Sequence, residues 1–257
     1  MVLVVFSNNI QREEFPRYLM PKVALKPVNR LLAALPKAEY QRLVPYLESV
    51  PLPLKQVLYK RGESIEYVYF PHRAIVSLIA TTEEGSNVEV GIVGNDGVTG
   101  MPDLLGDNIA TITAIVQRED SGMRMEASLL KTEFGQGGVL QSLLLRYTQV
   151  LYALASQNAA CNRLHQIDEK LARWLLLVSD SVESNELQLT QEFMAQMLSV
   201  RRPGVTEAAS RLQQAGLIRY HRGRISILNR QKLEAASCSC YGIIKSQYAR
   251  LLGTDKG

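Results

Sequence analysis

The chain has 257 residues, of which 46% are hydrophobic, and a formal net charge of +4. This length and composition can supply one large hydrophobic core or two of ordinary size, which excludes an intrinsically disordered chain. The net charge neither requires nor excludes a nucleic-acid partner, because many enzymes carry as much. The longest apolar runs, such as Met1 to Phe6, are far shorter than the roughly 20 residues that cross a bilayer, so no membrane partner is predicted.

Cysteine usage indicates a reducing compartment. The three cysteines, Cys161, Cys238 and Cys240, are an odd number and do not suggest a disulfide framework. No cleavage site of small residues follows the first apolar run, so no export signal is visible. We therefore expect a cytoplasmic protein.

The first two segments are an N-terminal extension, residues 1–27, and a β domain, residues 28–134. The extension has no sustained periodicity and is interpreted as loosely docked. Helical spacing of apolar residues from Val28 to Val50 predicts short helices, and five stretches beyond Pro53 predict antiparallel strands of a roll, barrel or sandwich. These stretches are Gln56 to Tyr59, Tyr67 to Phe70, Ala74 to Thr81, Val88 to Val93 and Thr111 to Gln117.

A long amphipathic helix is predicted over residues 138–165, because apolar residues recur there at spacings of three and four. Such a stripe packs either on the β domain of the same chain or on its copy in a homodimer, and the sequence leaves both open. In the dimer interpretation the contact residues are Leu140, Leu144, Tyr147, Leu151 and Leu154.

Residues 166–235 contain the pattern that points to DNA. Thr190 stands where an N-cap belongs, a short helix follows, and a second helix is predicted from Arg202 to Ala215 with a stop at Gly216. Two short helices joined by a tight turn are the helix-turn-helix arrangement, which places its second helix in the major groove. The alternating stretches around His221-Arg222-Gly223 then predict a two-stranded wing.

The charge of this region is strongly positive. Between Arg201 and Arg224 there are six arginines and one acid, Glu207. A solvated basic face would explain the charge alone, but the helix pair, the glycine stop and the basic hairpin in this order favour DNA binding. The remaining residues, 236–257, are interpreted as a C-terminal tail.

Candidate DNA contacts fall into two groups. Thr190, Gln191, Arg222 and Arg224 suit phosphate contacts, which supply affinity without reading sequence. Arg201 and Arg202 are the predicted base readers, because a guanidinium can donate two hydrogen bonds to guanine, worth about 1–3 kcal/mol of discrimination. The predicted interface is completed by Ser199, Thr206, Ser210 and His221.

The segments Leu189 to Glu192, Ala208 to Ile218 and Arg222 to Ile227 resemble the Crp/Fnr family. The resemblance covers about residues 28–233. It implies an α+β fold with an antiparallel β-roll of the cyclic-nucleotide-binding type, a long dimerisation helix and a C-terminal winged helix-turn-helix. It also implies a homodimeric transcription regulator that recognises an inverted repeat in double-stranded DNA, with RNA polymerase as a further partner.

Two motifs depart from the family pattern. Of the Arg-Glu-x-x-x-Arg motif often found in the recognition helix, only Arg202 is present, beside Pro203 and Glu207, so the familiar operator is not expected. In the phosphate cassette of relatives that bind cyclic AMP, Met101 replaces the ribose-binding glutamate and Ala110 the phosphate-binding arginine. Cyclic AMP bound in the usual way is therefore not expected.

Basic residues in or before the roll suggest a different effector, a cyclic dinucleotide, whose two phosphates need neutralisation. Another small effector, or none, remains an alternative, since basic residues are commonly just solvated. The candidate ligand residues are Arg12, Arg17, Arg30, His72, Arg73, Arg118 and Arg124.

No metal site, haem or iron–sulfur cluster is expected. A cluster usually takes four thiolates, whereas the three cysteines are far apart, and His165 is interpreted as a packing residue. The chain contains no His-Glu-x-x-His, Gly-x-x-x-x-Gly-Lys or Gly-x-Ser-x-Gly motif, so it is not predicted to be an enzyme. A module that signals through protein partners, or a regulator without a ligand, is the alternative function.

Overall fold

The computed structural model describes residues 27–85, 87–101 and 106–253, which form a β-roll, a long helix and a winged helix in that order. Most of the predicted extension, including Arg12 and Arg17, lies outside the described residues. Among the helices of the described ranges, none combines the length and the apolar character needed to span a membrane.

From residue 27, where the described part of the chain begins, two short helices and a 3-10 turn precede the roll. Asn29 ties them to it: its buried side chain caps the first helix through the N–H groups of Leu31 and Leu32, each at 3.1 Å. Its amide also donates to the carbonyls of Pro71 and Gly97, both at 2.9 Å. The Asn29 side chain thus provides hydrogen-bond partners for two N–H groups at the start of the first helix and for two backbone carbonyls of the roll. The helical segments are α1 (Arg30–Ala33), α2 (Lys37–Leu43) and the turn Val44–Tyr46.

Among the described residues of the roll, seven antiparallel strands are present, which confirms the predicted antiparallel β fold. They pair in two sheets, in the orders β1-β7-β3 and β2-β6-β4-β5. All five predicted strands are present, with ends that differ by one or two residues. The strands are β1 (Glu48–Leu52), β2 (Val57–Tyr59), β3 (Tyr67–Pro71), β4 (Ile75–Thr81), β5 (Asn87–Val93), β6 (Thr113–Arg118) and β7 (Asp120–Glu126).

Strands β1 and β7 correct the sequence prediction, which extended the helices to Val50 and placed no strand after Gln117. The two pair from Glu48 opposite Arg124 to Leu52 opposite Asp120. A salt bridge of 2.7 Å joins Arg124 to Glu48 across the pair. Both strands carry charged residues and are only partly buried, so their alternation is too weak to identify without the pairing partner.

Helix α3 (Ala127–Gly135) leads into the long helix α4 (Gly138–Leu164), whose predicted dimer stripe is buried inside the chain. The stripe residues Leu140, Leu144, Tyr147 and Leu154 are at most 3% exposed, and Leu151 packs beside them. The dimer assignment is therefore wrong for these four buried residues, whose pattern marks a face that packs within the chain, and it stays a prediction for the partly buried Leu151.

Glycine at position 97 permits this packing of α4 on the roll. A Cβ at Gly97 would overlap the Tyr147 hydroxyl, so a larger residue there would force the buried Tyr147 ring to shift.

The winged helix begins with α5 and contains both helices of the predicted helix-turn-helix. Its sheet has three strands, in the order β8-β10-β9, rather than the predicted two. The added strand has Leu187 at its centre, which is buried and pairs with Ile225. The elements are α5 (Ile167–Val182), β8 (Glu186–Gln188), α6 (Gln191–Met197), α7 (Arg202–Gln214), β9 (Ile218–His221), β10 (Arg224–Ile227) and α8 (Arg230–Ala236).

The predicted C-terminal tail is mostly a helix, α9 (Cys240–Leu252), which packs along α4. Cys240 at its start lies beside Cys161 near the end of α4, and Leu252 lies beside Leu143 near the start of α4. The two helices are therefore antiparallel, and α9 covers part of the long helix.

The roll and the winged helix share one hydrophobic cluster, centred on Trp174 of α5. Its indole N–H donates to the buried carboxyl of Glu89 in β5 at 2.8 Å, and the hydroxyl of Ser77 in β4 donates to the same carboxyl at 2.5 Å. The ring of Phe193 in α6 stands 5.7 Å from the Trp174 ring, centroid to centroid. The first helix of the helix-turn-helix is thus held against the roll.

The buried carboxyl at this junction predicts a pH dependence of stability. Burial raises the pKa of Glu89 from 4.5 to about 7, against the hydrogen bonds from Ser77 and Trp174 and the charge of Arg173, which lower it. Between these two pKa values the folded chain keeps a proton that the unfolded chain has lost. The free energy of unfolding should therefore fall as the pH rises through this window.

As the pH rises from about 4.5 to about 7, the titration of Glu89 should lower the free energy of unfolding by roughly 1–3 kcal/mol. Glu89→Gln should remove that part of the slope, because its amide can still accept from Trp174 and donate to Ser77 but does not titrate. Urea unfolding of both proteins across this pH range measures the difference. An identical pH dependence in wild type and variant would contradict the assignment.

Candidate nucleic-acid interface

The helix-turn-helix is built from short-range signals that the structure bears out. The hydroxyl of Thr190 accepts a hydrogen bond of 3.2 Å from the N–H of Phe193 and so caps α6. Gln191 follows at the first position of the helix, half-buried. The turn to α7 passes through Ser199, an exposed residue with a φ of 52°, in the left-handed region. This residue reverses the chain direction within a few residues.

Helix α7 has a buried face and an exposed face, as predicted. Val205, Ala208, Ala209 and Leu212 are at most 4% exposed and pack in the shared hydrophobic cluster. Pro203 lies in the first turn, where its missing N–H leaves no helix bond unmade. The predicted contact residues Arg201, Arg202, Thr206 and Ser210 are all exposed.

Two arginines of α7 have different environments. Arg202 lies 3.9 Å from Glu192, and both side chains are mostly exposed, so this ion pair is weak and leaves the guanidinium available to another partner. Arg211 instead donates two hydrogen bonds of 2.6 Å to Asp168 and joins α7 to α5. Arg211 therefore has a structural partner, while Arg202 faces solvent.

The wing carries an arginine in a conformation that does not favour it. Arg222 and Gly223 have φ values of 46° and 77° between the paired residues His221 and Arg224. Positive φ at both central positions is the two-residue hairpin turn in which Asn, Asp and Gly are preferred. Arg222 is exposed, and a non-glycine residue in this conformation costs roughly 1–3 kcal/mol, so the turn itself does not favour arginine here.

An exposed arginine surface on a helix-turn-helix with a basic wing defines a winged-helix DNA-binding module, here attached to a β-roll through a long helix. Residues 169–236 match the family model of the Crp-like helix-turn-helix domain. A search of the curated proteins gave no match.

Solved structures agree with this class. FixK2 from Bradyrhizobium japonicum has a TM-score of 0.65 and 17% identity, and the match covers 75% of this chain and 98% of that chain. A transcriptional regulator of the Crp/Fnr family from Eubacterium rectale has a TM-score of 0.61 and 16% identity, with 80% and 96% covered. The c-di-GMP responsive global regulator CLP from Xanthomonas campestris has a TM-score of 0.61 and 13% identity, with 76% and 100% covered.

The resemblance to the Crp/Fnr family is thereby confirmed at the level of domain and fold. The chain carries a Crp-like helix-turn-helix domain and has the β-roll, long helix and winged helix of Crp/Fnr regulators.

The interior of the roll is packed with apolar side chains at two of the positions that bind cyclic AMP in relatives. Met101 is 5% exposed and Ala110 is 2% exposed, and each belongs to a hydrophobic cluster of the roll. Nearby, the hydroxyls of Tyr59 and Thr99 hydrogen-bond to each other at 2.5 Å. Neither Met101 nor Ala110 supplies the charge or the acceptor that a ribose phosphate requires.

The predicted ligand residues lie in more than one place. Arg118 donates to the carbonyl of Arg73 at 2.8 Å, and the ring of the neighbouring His72 contacts the Ser121 hydroxyl at 3.1 Å, so these residues share one end of the roll. Burial lowers the pKa of His72 and so favours the neutral ring, whereas the negative charge of Asp120 acts in the opposite direction. Arg124 is engaged by Glu48 and by the face of the Tyr67 ring, 4.5 Å from its centroid.

Arg30 lines a separate cavity of about 700 Å³ between the roll, α5 and the C-terminal helices. Its charged lining is balanced, so it offers no net positive charge to a dianion. Sequence reasoning missed it because its walls come from several distant segments. The charged residues of the lining are Arg30, Asp96, Asp180, Glu183, Arg230 and Lys245.

The cysteines are not far apart, which corrects the sequence analysis. The sulfur atoms of Cys161 and Cys238 are 3.5 Å apart, and Nδ1 of His165 lies 3.5 Å from the sulfur of Cys240. Cys161 and His165 are one helical turn apart, and the start of α9 brings the other two beside them. The available signals were the Cys-x-x-x-His and Cys-x-Cys spacings, each too common to be decisive alone.

Proposed function

We propose that this chain is a cytoplasmic, homodimeric transcription regulator that binds an inverted repeat in double-stranded DNA and acts on transcription through RNA polymerase. The supporting observation is the exposed arginine surface of the Crp-like domain, in particular Arg222 at the tip of the wing. In this proposal Arg201 and Arg202 read bases, and Thr190, Gln191, Arg222 and Arg224 contact phosphates. Ser199, Thr206, Ser210 and His221 surround these contacts.

Arg202→Ala and Arg222→Asn should weaken DNA binding in distinguishable ways. Selection from genomic fragments with purified protein first supplies the operator. Arg202→Ala should relax the preference at one base position per half-site by about 1–3 kcal/mol. Arg222→Asn should weaken binding to all sequences alike and lower the salt slope by about one per subunit, while stabilising the hairpin, because Asn favours positive φ. Binding curves at several salt concentrations measure both effects.

Arg211→Ala is the matched control, since it removes the same charge from the same helix at a residue held by Asp168. It should leave the base preference unchanged. Enrichment of no sequence at any salt concentration would count against the proposed function. A base preference unaltered in Arg202→Ala would remove this residue from its assigned role.

We propose that two chains pair through the exposed face of α4. Leu145 is 50% exposed and Tyr152 is 76% exposed, seven residues apart, and the exposed Ala159 follows after seven more. Apolar residues at a spacing of seven form the seam of a paired helix, and the small exposed residues Ser156 and Ala159 let two backbones approach. The symmetric pairing of two such helices holds two winged helices over two half-sites.

We expect the double variant Leu145→Glu and Tyr152→Glu to be monomeric by light scattering, because four like charges would meet at the seam. Its circular dichroism should match the wild-type spectrum, since both side chains are largely exposed. Leu144→Glu, one residue away but buried, is the control and should instead destabilise the chain. A full dimer of the double variant would exclude this face.

We propose further that an effector other than cyclic AMP, a cyclic dinucleotide, binds at the end of the roll formed by His72, Arg73 and Arg118. The relative CLP is described as c-di-GMP responsive. Arg118 also lines a small cleft together with Trp174 and Phe193, between the roll and the winged helix. A ligand bound to Arg118 at the end of the roll, next to this cleft, would act by favouring one arrangement of the roll and the winged helix over another.

Isothermal titration with cyclic di-GMP should give heat in wild type and none in the double variant Arg73→Ala and Arg118→Ala. Cyclic AMP should give none in either protein. Lys245→Ala is the control, because it changes the charge of the separate cavity instead. If only Lys245→Ala loses the heat, the effector belongs in that cavity. No heat in wild type at high micromolar ligand would favour a regulator without this effector.

A further inference from the structure

Three cysteines and a histidine converge where the winged helix joins the rest of the chain. The ligand atoms of Cys161, His165, Cys238 and Cys240 all lie within 4.8 Å of one another. In a tetrahedral zinc site, bond lengths of about 2.0–2.3 Å place neighbouring ligand atoms roughly 3.5–3.8 Å apart. Two of the separations, from the Cys161 sulfur to the Cys238 sulfur and from the Cys240 sulfur to Nδ1 of His165, are 3.5 Å each. Small side-chain movements would complete the tetrahedron.

We propose that these four residues bind a single zinc ion. Three thiolates and one imidazole are a donor set of closed, four-coordinate structural zinc sites. A cubane iron–sulfur cluster fits less well, because each of its thiolates binds a different iron and the sulfurs must be further apart. Binding forms three zinc–sulfur bonds and one zinc–nitrogen bond and releases the thiol protons to solvent.

Surrounding residues supply what a buried zinc–thiolate centre needs. Gln157 donates a hydrogen bond of 3.0 Å to the sulfur of Cys240, an outer contact of the kind that orients metal ligands. Three thiolates and Zn²⁺ carry a net charge of −1, and the guanidinium of Arg173 interacts with Cys161 electrostatically. Arg173 is 4% exposed, and its Nε has no hydrogen-bond partner among the described residues. A buried cation thus stands beside the anionic centre.

The position of the ligands assigns the ion a mechanical role. His165 lies two residues before α5, where the winged helix begins, and Cys238 lies two residues after α8. The segment between them, residues 166–237, contains the whole winged helix, and its two ends would meet at the ion. Zinc would fix both ends to α4 and α9 and so set the orientation of the recognition helices. This last step rests on the proposed DNA-binding function, whereas the binding of zinc does not.

The first test is the metal content of the full-length protein, purified under reducing conditions without chelators. Mass spectrometry of the dissolved metal should find about one zinc per chain. After removal of zinc by a chelator, Co²⁺ should give the visible bands of a tetrahedral site and the near-ultraviolet charge transfer of cobalt thiolates. Zinc removal should also lower the melting temperature. All of these measurements are made without DNA, so they are independent of the proposed function.

Variants then assign the ligands. Cys238→Ser combined with Cys240→Ser should abolish zinc and cobalt binding, and Ser239→Ala, between the two, should keep both. His165→Cys should still bind Co²⁺ with a stronger charge-transfer band, because a fourth thiolate replaces the imidazole. If the serine variant does not fold, the wild-type metal content and cobalt spectrum decide alone.

Two results would overturn the inference. The first is wild-type protein that contains no stoichiometric zinc and takes up neither Zn²⁺ nor Co²⁺. The second is a disulfide between Cys161 and Cys238 in freshly purified protein, since that bond consumes two of the ligands. If zinc binds but its removal leaves operator affinity unchanged, the ion is present and the mechanical role is rejected.

Discussion

The arrangement of the molecule depends on the burial of α5 between the roll and the recognition helices. Trp174 lies in the hydrophobic cluster that both parts share, and its indole is bonded to Glu89 of the roll. Because Glu89 is buried, its carboxyl has no water to bond with and accepts hydrogen bonds from Trp174 and Ser77 instead. A displacement of the winged helix would expose apolar surface and leave polar groups unpaired. This junction therefore opposes any change in the orientation of the DNA-binding surface.

A second polar connection joins α4 to the same place. Arg173 of α5 donates to the side chain of Asn158 at 2.6 Å, and Asn158 donates to the carbonyl of Val90 at 3.1 Å. Helix α5, helix α4 and strand β5 thus meet in one buried network. Polar networks inside a core require specific geometry, because a partly satisfied network is costly. An effector or a DNA site that reorients the winged helix must therefore provide enough differential binding energy to rearrange both connections.

How much the sequence predicts depends on how local the signals are. The helix-turn-helix could be predicted because Thr190, Gly216 and the turn at Arg222 each act on residues only a few positions away in the chain. The central strands could be predicted from their apolar residues, but β1 and β7 could not, since each is stabilised by the other. The stripe on α4 correctly marked a buried face without identifying what covers it. The cysteine cluster depends on α9 folding back along α4, which no local pattern encodes.

The long helix connects the features that would regulate DNA binding. One face of α4 covers the roll, Leu145 and Tyr152 occupy the opposite exposed surface, and Cys161 stands near its end. A partner helix on the exposed face and an ion at the end would therefore act on the same rigid element. Because α4 continues into α5 through the short connection at His165 and Gln166, a rotation of α4 is transmitted to the recognition helices over very few backbone bonds. If the chain binds DNA as proposed, this connection would set the orientation of α7, while the arginine contacts of the winged helix would supply the affinity.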